Sequence, residues 1–93
     1  MFAIGFDLVV ADAATHHPKG VSQACADIGR TLETYGFDRV QGSLYITQSD
    51  DLANLFNAIM ALKALPWFPQ TVRDLRAFKV EHWSDFTRVV KGN

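Results

Sequence analysis

The chain has 93 residues, of which 48% are hydrophobic and 20% charged, and its formal net charge is −1. This length predicts one domain, residues 1–93, with a single small core that a partner subunit would help to cover. The nearly neutral charge excludes binding to nucleic acid through a general positive field, so such binding would need a local basic patch.

The cysteine content and the hydropathy pattern predict a cytoplasmic protein. Cys25 is the one cysteine of the chain, which excludes an intramolecular disulfide and is typical of a reducing compartment. No apolar run approaches the roughly 20 residues that span a bilayer, so no membrane partner is expected. The chain starts directly with a strand pattern, without the basic stretch and apolar segment of a secretory signal.

The first predicted element is a strand over residues 2–10. Its bulky residues alternate with small ones, and this period of two indicates a strand with one face toward a core. The bulky face consists of Phe2, Ile4, Phe6 and Leu8, and the other face carries Ala3, Gly5, Asp7 and Val9. A carboxylate inside such a strand is costly unless it is solvated, paired or bound to a cation. The role of Asp7 is therefore the main question that the sequence raises.

A loop is predicted over residues 11–20, where Pro18 and Gly20 interrupt the pattern. A helix follows over about residues 20–35, with one apolar stripe made of Val21, Cys25, Ile28, Leu32 and Tyr35. Gly29 inside this helix costs about 1 kcal/mol relative to alanine, so we expect it to serve a close approach of helix and sheet. Gly36 is expected to end the helix in the left-handed conformation.

Residues 37–48 are rich in β-forming residues at both ends, with Gly42 and Ser43 between them. They form two short strands joined by a tight turn or one long strand with a bulge, and the sequence leaves both open. A second helix follows, capped by Ser49 or Asp50 and ended by Pro66. Its predicted apolar stripe is Leu52, Leu55, Phe56, Ile59 and Leu62.

The remaining segments predict a connector, an edge strand and a tail. Trp67 and Phe68 lie between two prolines and belong either to the core or to a partner-binding knob. Residues 72–81 have weak alternation and many charges, which is typical of an edge strand. The tail, residues 82–90, favours a last short strand.

The order of elements predicts an α+β fold, the ferredoxin-like βαββαβ sandwich. In this fold two helices cover one face of an antiparallel sheet, and here a C-terminal extra strand or tail would follow. The helices would cover the bulky face of the first strand and leave the face of Asp7 open. Open sheet faces of small domains often meet a second copy, and a two-fold axis near Asp7 would bring two copies of this residue together.

The chain carries a set of recognisable motifs at residues 2–12, 17–21, 36–45, 53–56, 61–67, 72–74 and 83–86. Together these segments resemble the virulence-associated protein D family over nearly the whole chain. The resemblance implies a small ferredoxin-like homodimer with endoribonuclease activity. It also implies that the protein is the toxin of a toxin–antitoxin pair, with RNA as substrate and a small antitoxin protein as partner.

This family is also similar to small CRISPR-associated ribonucleases of the same fold. In those proteins an aromatic residue followed by aspartate ends the first strand, and Phe6 and Asp7 match this pair. Residues 38–45 resemble the second strand of those proteins, with Gly42 in place of an aromatic residue. The resemblance therefore implies that Asp7 is the catalytic residue.

Two mechanisms are open for Asp7. A pair of Asp7 side chains across a dimer axis could hold one Mg²⁺, which would lower the pKa of a water molecule and stabilise charge on the phosphate. Alternatively, the closeness of two carboxylates raises one pKa, so that one acts as acid and the other as base. In that case the 2′-hydroxyl of RNA could attack, and no metal would be needed. From the residues alone, a solvated or salt-bridged surface aspartate is the favoured interpretation of Asp7, and the resemblance reverses this preference.

Arg39, Ser43 and Tyr45 are the candidate substrate-binding residues. The planar guanidinium of Arg39 could clamp a phosphate, and Ser43 could offer it a hydroxyl and a backbone N–H. Tyr45 could stack on a base or pack in a dimer interface. In the simpler interpretation, Arg39 pairs with Asp38 or another surface acid, and Ser43 belongs only to a turn.

Other polar residues give weaker patterns. His16 and His17 lie beside the end of the first strand, where a general base is conceivable but a surface position is more common, and their spacing from Asp12 is not specific for a metal site. Cys25 lies on the apolar stripe and is expected to pack. The only basic-rich region is Arg73, Arg76, Lys79 and Arg88, which touches phosphates or forms an ordinary charged edge.

Two hypotheses follow for function. The first is an endoribonuclease with Asp7 at its centre, which the Phe6-Asp7 pair and residues 39–43 favour. The alternative is a non-enzymatic homodimeric interaction module that binds an antitoxin protein or nucleic acid, which the low positive charge favours. The sequence has no glycine-rich phosphate loop, CxxC pair, HExxH motif or nucleophile elbow, which disfavours nucleotide hydrolases, zinc enzymes and serine hydrolases.

Overall fold

Four strands form one antiparallel sheet in the order β2-β3-β1-β4. In the computed structural model, which describes residues 1–92, the strands are β1 (Phe2–Leu8), β2 (Asp38–Gln41), β3 (Leu44–Thr47) and β4 (Val72–Lys79). The helices are α1 (Val10–His16), α2 (Val21–Thr34), α3 (Leu52–Lys63) and α4 (Thr87–Lys91), and a 3₁₀ turn covers Phe68–Gln70. This topology confirms the predicted α+β, ferredoxin-like arrangement.

The two faces of β1 are used as the alternation predicts. Ile4 and Phe6 are buried in the core, where side chains of α2 and α3 cover them, and Phe2 and Leu8 pack at its edge. Full burial of a side chain such as Ile4 contributes about 1.5–3 kcal/mol to folding. Because successive side chains of a strand point to opposite faces, Asp7 is directed away from this core, onto the face that we call the open face.

The buried side of α2 includes Ala24 in place of its neighbour Cys25, which belongs to the predicted stripe. Ala24, Ile28 and Leu32 are fully buried, and their spacing of four residues places them along one side of the helix. Cys25 is exposed, because the residue after Ala24 is turned by about 100° around the helix axis. The prediction that Cys25 packs in the core is therefore wrong.

Gly29 allows α2 to approach the sheet closely, as predicted. A Cβ atom at this position would lie 2.7 Å from the hydroxyl oxygen of Tyr45, which is shorter than a carbon–oxygen contact can be. Tyr45 is only 5% exposed, and its ring stacks on Phe6 with the ring centroids 6.2 Å apart. The contact with Tyr45 therefore explains a glycine in the middle of α2.

A tight turn at Gly42 and Ser43 joins β2 to β3, so the first of the two alternatives for this segment is the observed one. Gly42 has a φ of 43°, in the left-handed region that favours glycine. The pairing of the two strands also shifts register between Arg39 and Gln41. The hairpin therefore contains both a tight turn and an irregularity in the hydrogen-bonded pairing of β2 with β3.

The N-terminus of α3 is capped by Asp51, and the prediction of Ser49 or Asp50 is wrong. The Asp51 carboxylate accepts a hydrogen bond from the backbone N–H of Ala53 at 2.9 Å, and such caps contribute about 1 kcal/mol. Asp50 instead pairs with the amino group of Met1, which draws its side chain away from the helix.

The buried side of α3 is also narrower than its apolar pattern. Leu55, Ala58 and Leu62 are buried, whereas Leu52 and Phe56 are 66% and 60% exposed. The predicted stripe was thus wider than the face that the sheet and α2 cover.

Four other segments can be compared with their predictions. Residues 11–16, predicted as loop, belong to α1, because three alanines there are strong helix formers. Val10, predicted as the end of the first strand, is the first residue of this helix. The tail ends in α4 rather than in a strand, and the Asp85 carboxylate accepts from the N–H of Thr87 at 2.9 Å at its start. β4 is an edge strand, as predicted, and Trp67 and Phe68 are buried in the core.

Within residues 1–92, no helix combines the length and the apolar character needed to cross a membrane.

Gly29→Ala is expected to lower the free energy of unfolding by about 1 kcal/mol. Overpacking against the Tyr45 hydroxyl costs about 1–3 kcal/mol, and the better helix propensity of alanine offsets about 1 kcal/mol of that cost. Chemical denaturation followed by circular dichroism measures the difference. The matched control is Gly29→Ala combined with Tyr45→Phe, which removes the clashing oxygen and should recover the loss. A single variant more stable than the wild type would contradict the close contact.

Candidate active site

Asp7 lies on the open face, directly opposite Asp74. The register of β1 against β4 pairs these two residues, and residues directly opposite in an antiparallel pair project to the same face. Their side chains are 59% and 48% exposed. Because like charges directly opposite each other destabilise a sheet, this pair of carboxylates requires positive charge nearby.

Two arginines of β4 supply this positive charge. Arg73 donates from Nη1 to Asp7 at 3.3 Å, and Arg76 donates from Nε to both oxygens of Asp74 at 3.0 and 3.2 Å. Both arginine side chains are more than 60% exposed, so each ion pair contributes about 0–1 kcal/mol. The arginines can therefore leave these carboxylates for another anion at little cost.

A shallow groove of about 470 Å³ runs along this part of the open face. Asp7, Asp74 and Arg76 line it, together with Ser43 from the hairpin turn and the exposed ring of Phe78. We call it the open-face groove. It brings Asp7 and Ser43 together, two of the residues that the sequence singles out.

A second pocket, of about 580 Å³, lies on the other side of the hairpin, against α2. Arg39, Ser43 and Tyr45 line it, so the three candidate substrate-binding residues lie together. We call it the helix-side pocket. It does not include Asp7, but it shares Phe6, Gly42 and Ser43 with the open-face groove. The two concave surfaces therefore meet at the hairpin turn.

Arg39 has no carboxylate partner among the residues that the structure describes, so the predicted alternative of a pair with Asp38 is not observed. Its Nε donates to the backbone oxygen of Gly42 at 2.8 Å, which orients the side chain across the turn. The Tyr45 ring is buried between Phe6 and α2, and the side chain lines the helix-side pocket. The substrate-binding roles of Arg39, Ser43 and Tyr45 and the catalytic role of Asp7 stay predictions.

The tail crosses the outer half of the open face. A concave surface of about 480 Å³ lies between strands β2 and β3 and residues 83–87, with Ile46 and Asp38 on the sheet side and Trp83 and Phe86 on the tail side. The tail thus shields β2 and β3 and leaves the half of the face with Asp7 accessible.

His17 is a buried structural residue rather than a surface histidine or a free base. Its Nδ1 accepts from the backbone N–H of Lys19 at 2.9 Å, and its Nε2 donates to Asp27 at 2.8 Å. Its ring also meets Trp67 edge-on, with the ring centroids 4.7 Å apart. Because both nitrogens are occupied, His17 has none left for proton transfer, whereas His16 is exposed.

Asp27 holds this cluster together from α2. Its carboxylate accepts hydrogen bonds from Gln23 and His17, and these bonds lower the pKa of Asp27 below its usual value of 3.8. The cluster fixes the segment that leads from α1 into α2. The cluster was not predicted, because His17 and Asp27 are ten residues apart and meet only when the segment with His17 folds back onto α2.

Within residues 1–92, no three His, Cys, Asp or Glu side chains are grouped closely enough to bind a metal. Asp7 and Asp74 provide two carboxylates directly opposite each other on the open face. This pair fits Mg²⁺, which keeps several waters and binds through one or two carboxylates and substrate phosphates. Asp74 was not predicted from the sequence, because only the register of β1 against β4 places it opposite Asp7. The prediction of an edge strand does not specify which residues pair.

The chain matches no known family model. It is 68% identical over 91 residues to a protein named endoribonuclease VapD homolog from Neisseria gonorrhoeae, an alignment that covers 98% of this chain and 99% of that protein. It is 57% identical to endoribonuclease VapD of Haemophilus influenzae, again over 98% of this chain and 99% of the relative. For endoribonuclease VapD of Dichelobacter nodosus the identity is 46%, over 99% of each chain.

Asp27→Asn is expected to destabilise the protein by about 1–2 kcal/mol near neutral pH, because it weakens the hydrogen bonds to His17 and Gln23. The lowered pKa of Asp27 means that its contribution is present above a pH of about 4 and is lost as the pH falls through its folded-state value. The stability difference between wild type and variant should thus be constant near neutrality and shrink below about pH 4.

Urea denaturation at a series of pH values measures this difference. Asp38→Asn is the matched control, because it changes an exposed aspartate that accepts no hydrogen bond in the described residues. A difference that grows as the pH falls would contradict the assignment.

Proposed function

The chain belongs to the VapD endoribonuclease family, and on this premise we propose that it cleaves RNA phosphodiester bonds with Asp7 as its catalytic residue. The observation that carries the proposal is the position of Asp7, an exposed carboxylate within the central strand, on the face opposite α2 and α3. A carboxylate at this position adds nothing to the core. Its arginine partner is itself exposed and free to exchange.

The open-face groove offers both signs of charge that phosphodiester cleavage needs. Guanidinium groups bind phosphate oxygens with two parallel hydrogen bonds, so Arg76, which lines the groove, and Arg73, which contacts Asp7, are suited to hold the RNA backbone. Moving Arg73 from Asp7 to a phosphate would free the Asp7 carboxylate. This exchange costs little, because the existing ion pair is exposed and weak.

The same carboxylates are suited to a divalent cation, and we infer that Asp7 and Asp74 hold Mg²⁺ when RNA is bound. The ion would stabilise the negative charge that develops on the phosphate. The two side chains lie opposite each other on neighbouring strands, so they require no change in the sheet to face one ligand. In the homodimer described next, a second copy of Asp7 would add a further carboxylate.

A homodimer through the open face is part of this proposal. Phe78 is 49% exposed on β4, opposite the small residue Ala3, and the nearby tail exposes Phe86 and the two valines of α4. Apolar surface of this kind on a small chain is typical of an interface. A two-fold axis at this face would bring the two Asp7 side chains toward each other.

The proposed biological role is that of a toxin in a toxin–antitoxin pair. RNA cleavage inside the cell would have to be restrained by a partner, and a small antitoxin protein is the expected one. The proposed compartment is the cytoplasm, which suits the single free cysteine.

Asp7→Asn is expected to reduce the rate of RNA cleavage by about 100-fold or more, as loss of a catalytic carboxylate does. Wild type and variant, purified identically, are tested on a labelled structured RNA with Mg²⁺ and with EDTA. EDTA should abolish cleavage by the wild type. Asp38→Asn is the matched control, since it neutralises another exposed aspartate of the same sheet and should cleave normally.

Equal cleavage by Asp7→Asn and wild type would reject the catalytic role of Asp7. Full activity in EDTA would reject the role of Mg²⁺ and favour acid–base cleavage. If neither protein cleaves RNA, the non-enzymatic interaction module becomes the better hypothesis.

Phe78→Glu is expected to convert the dimer to a monomer, because a buried unpaired charge at an interface costs several kcal/mol. Sedimentation equilibrium measures the mass, and Phe56→Glu is the matched control on the exposed side of α3. A wild type that sediments as a monomer, or a Phe78→Glu protein that remains dimeric, would contradict an interface on the open face.

A further inference from the structure

The helix-side pocket is lined by hydrogen-bond donors and positive charges that take no part in the proposed cleavage at Asp7. We infer that it holds one nucleotide of the RNA strand adjacent to the bond that is cut, with the phosphate of that nucleotide bound by Arg30, Arg39 and the hydroxyl of Tyr45. This inference rests on the function proposed above. It adds Arg30 and α2 to the substrate path, and it assigns Tyr45 a hydrogen bond to phosphate in place of stacking on a base.

The hydroxyl of Tyr45 is the observation that points to a ligand. Tyr45 is only 5% exposed and lines the pocket, and in residues 1–92 no hydrogen bond involves its hydroxyl, which lies beside Gly29. Because no fully buried polar side-chain atom of the described residues lacks a partner, this hydroxyl oxygen is accessible from the pocket. Burial raises the pKa of Tyr45, so the phenol is a neutral donor at neutral pH. A donor held rigidly in the core and directed into a pocket is well placed to bind an acceptor that enters from solvent.

Two arginines give the pocket its preference for an anion. Arg30 and Arg39 both line it. The Arg30 side chain is 67% exposed, and only its Nη2 contacts Asp27, at a distance of 3.3 Å from Oδ1. Most of its N–H donors are therefore available to a ligand. Arg39 donates through Nε to the backbone of the turn, so its two terminal nitrogens remain for a phosphate. Glu33 also lines the pocket and can accept a hydrogen bond from a ribose hydroxyl or a base amino group.

The size of the pocket suits a nucleotide. Its volume is about 580 Å³, within the range of roughly 300–1,000 Å³ that is usual for small-molecule sites. The wall on the α2 side consists of Cys25, Ala26 and Gly29, three small residues that leave room between the helix and the hairpin.

The position of the pocket connects it to the cleavage centre. The N–H of Phe6 donates to the backbone oxygen of Ser43 at 3.2 Å, and Asp7 is the next residue of β1. Ser43 lines both the pocket and the open-face groove. A strand of RNA that passes over Ser43 would therefore place one phosphate near Asp7 and a neighbouring nucleotide in the helix-side pocket.

Cys25 makes this inference directly testable, because it is the one cysteine of the chain and lies exposed in the pocket wall. The experiment measures the rate at which iodoacetamide alkylates Cys25, by mass spectrometry, with and without a short labelled RNA. Asp7→Asn protein is used so that the RNA stays intact. At an RNA concentration near ten times Kd, the rate should fall by about tenfold, because the free fraction falls by that factor.

Two variants test the named contacts. Tyr45→Phe removes only an unpaired hydroxyl, so thermal stability should be unchanged, whereas KM for RNA should rise by about tenfold with kcat nearly unchanged. Arg30→Gln should reduce the slope of log affinity against log salt by about 0.7, the value for one phosphate contact with a single strand. Lys63→Gln is the matched control, since it removes a positive charge from the end of α3, outside the pocket.

The outcomes separate this inference from the proposed function. A wild type that cleaves RNA while bound RNA leaves Cys25 alkylation unchanged overturns the pocket assignment alone. The same conclusion follows if Tyr45→Phe and Arg30→Gln bind and cleave like wild type. A wild type that neither cleaves nor binds RNA overturns both proposals. Protection of Cys25 that weakens in both variants supports the assignment.

Discussion

The pairing of β1 on both of its edges is the constraint on which the rest of the structure depends. β1 lies between β3 and β4, so its bulky face becomes the floor of the core and its other face can accept only small or solvated residues. Asp7 is tolerated there because the open face reaches water and because Arg73 stands beside it. Because successive side chains of β1 point to opposite faces of the sheet, this one strand contributes both core residues and the candidate catalytic residue.

The contact between Gly29 and Tyr45 is the second constraint, and it links the fold to the helix-side pocket. The missing side chain at Gly29 lets the Tyr45 hydroxyl stand against α2, which fixes the depth of the space between helix and hairpin. If α2 lay farther from the sheet, Arg30 and Arg39 would not line the same pocket. Gly29 weakens α2 by about 1 kcal/mol, but it permits the close contact between α2 and Tyr45 that shapes the helix-side pocket.

Positive and negative side chains lie in pairs near the proposed RNA path, which is consistent with the low net charge of the chain. Three of the positive groups near the proposed RNA path are each paired with a carboxylate that is at least partly exposed; these are Arg73 and Arg76 on β4 and Arg30 on α2. Such pairs are weak and screened by salt. A polyanion that approaches can displace the carboxylates, so the protein needs no large positive field to bind RNA locally.

The sequence by itself determined the βαββαβ order of the main elements, the two faces of β1 and the positions where glycine is needed, because alternation, helical period and turn geometry are local properties. Through a resemblance to a family it also proposed Asp7, Arg39, Ser43 and Tyr45 as candidate site residues. Only the tertiary structure decided that Asp74 faces Asp7, that Cys25 lines a pocket and that His17 is buried on Asp27. These outcomes depend on strand register and on the rotation of α2 about its axis. Both are set by contacts between residues far apart in the chain, which no local pattern encodes.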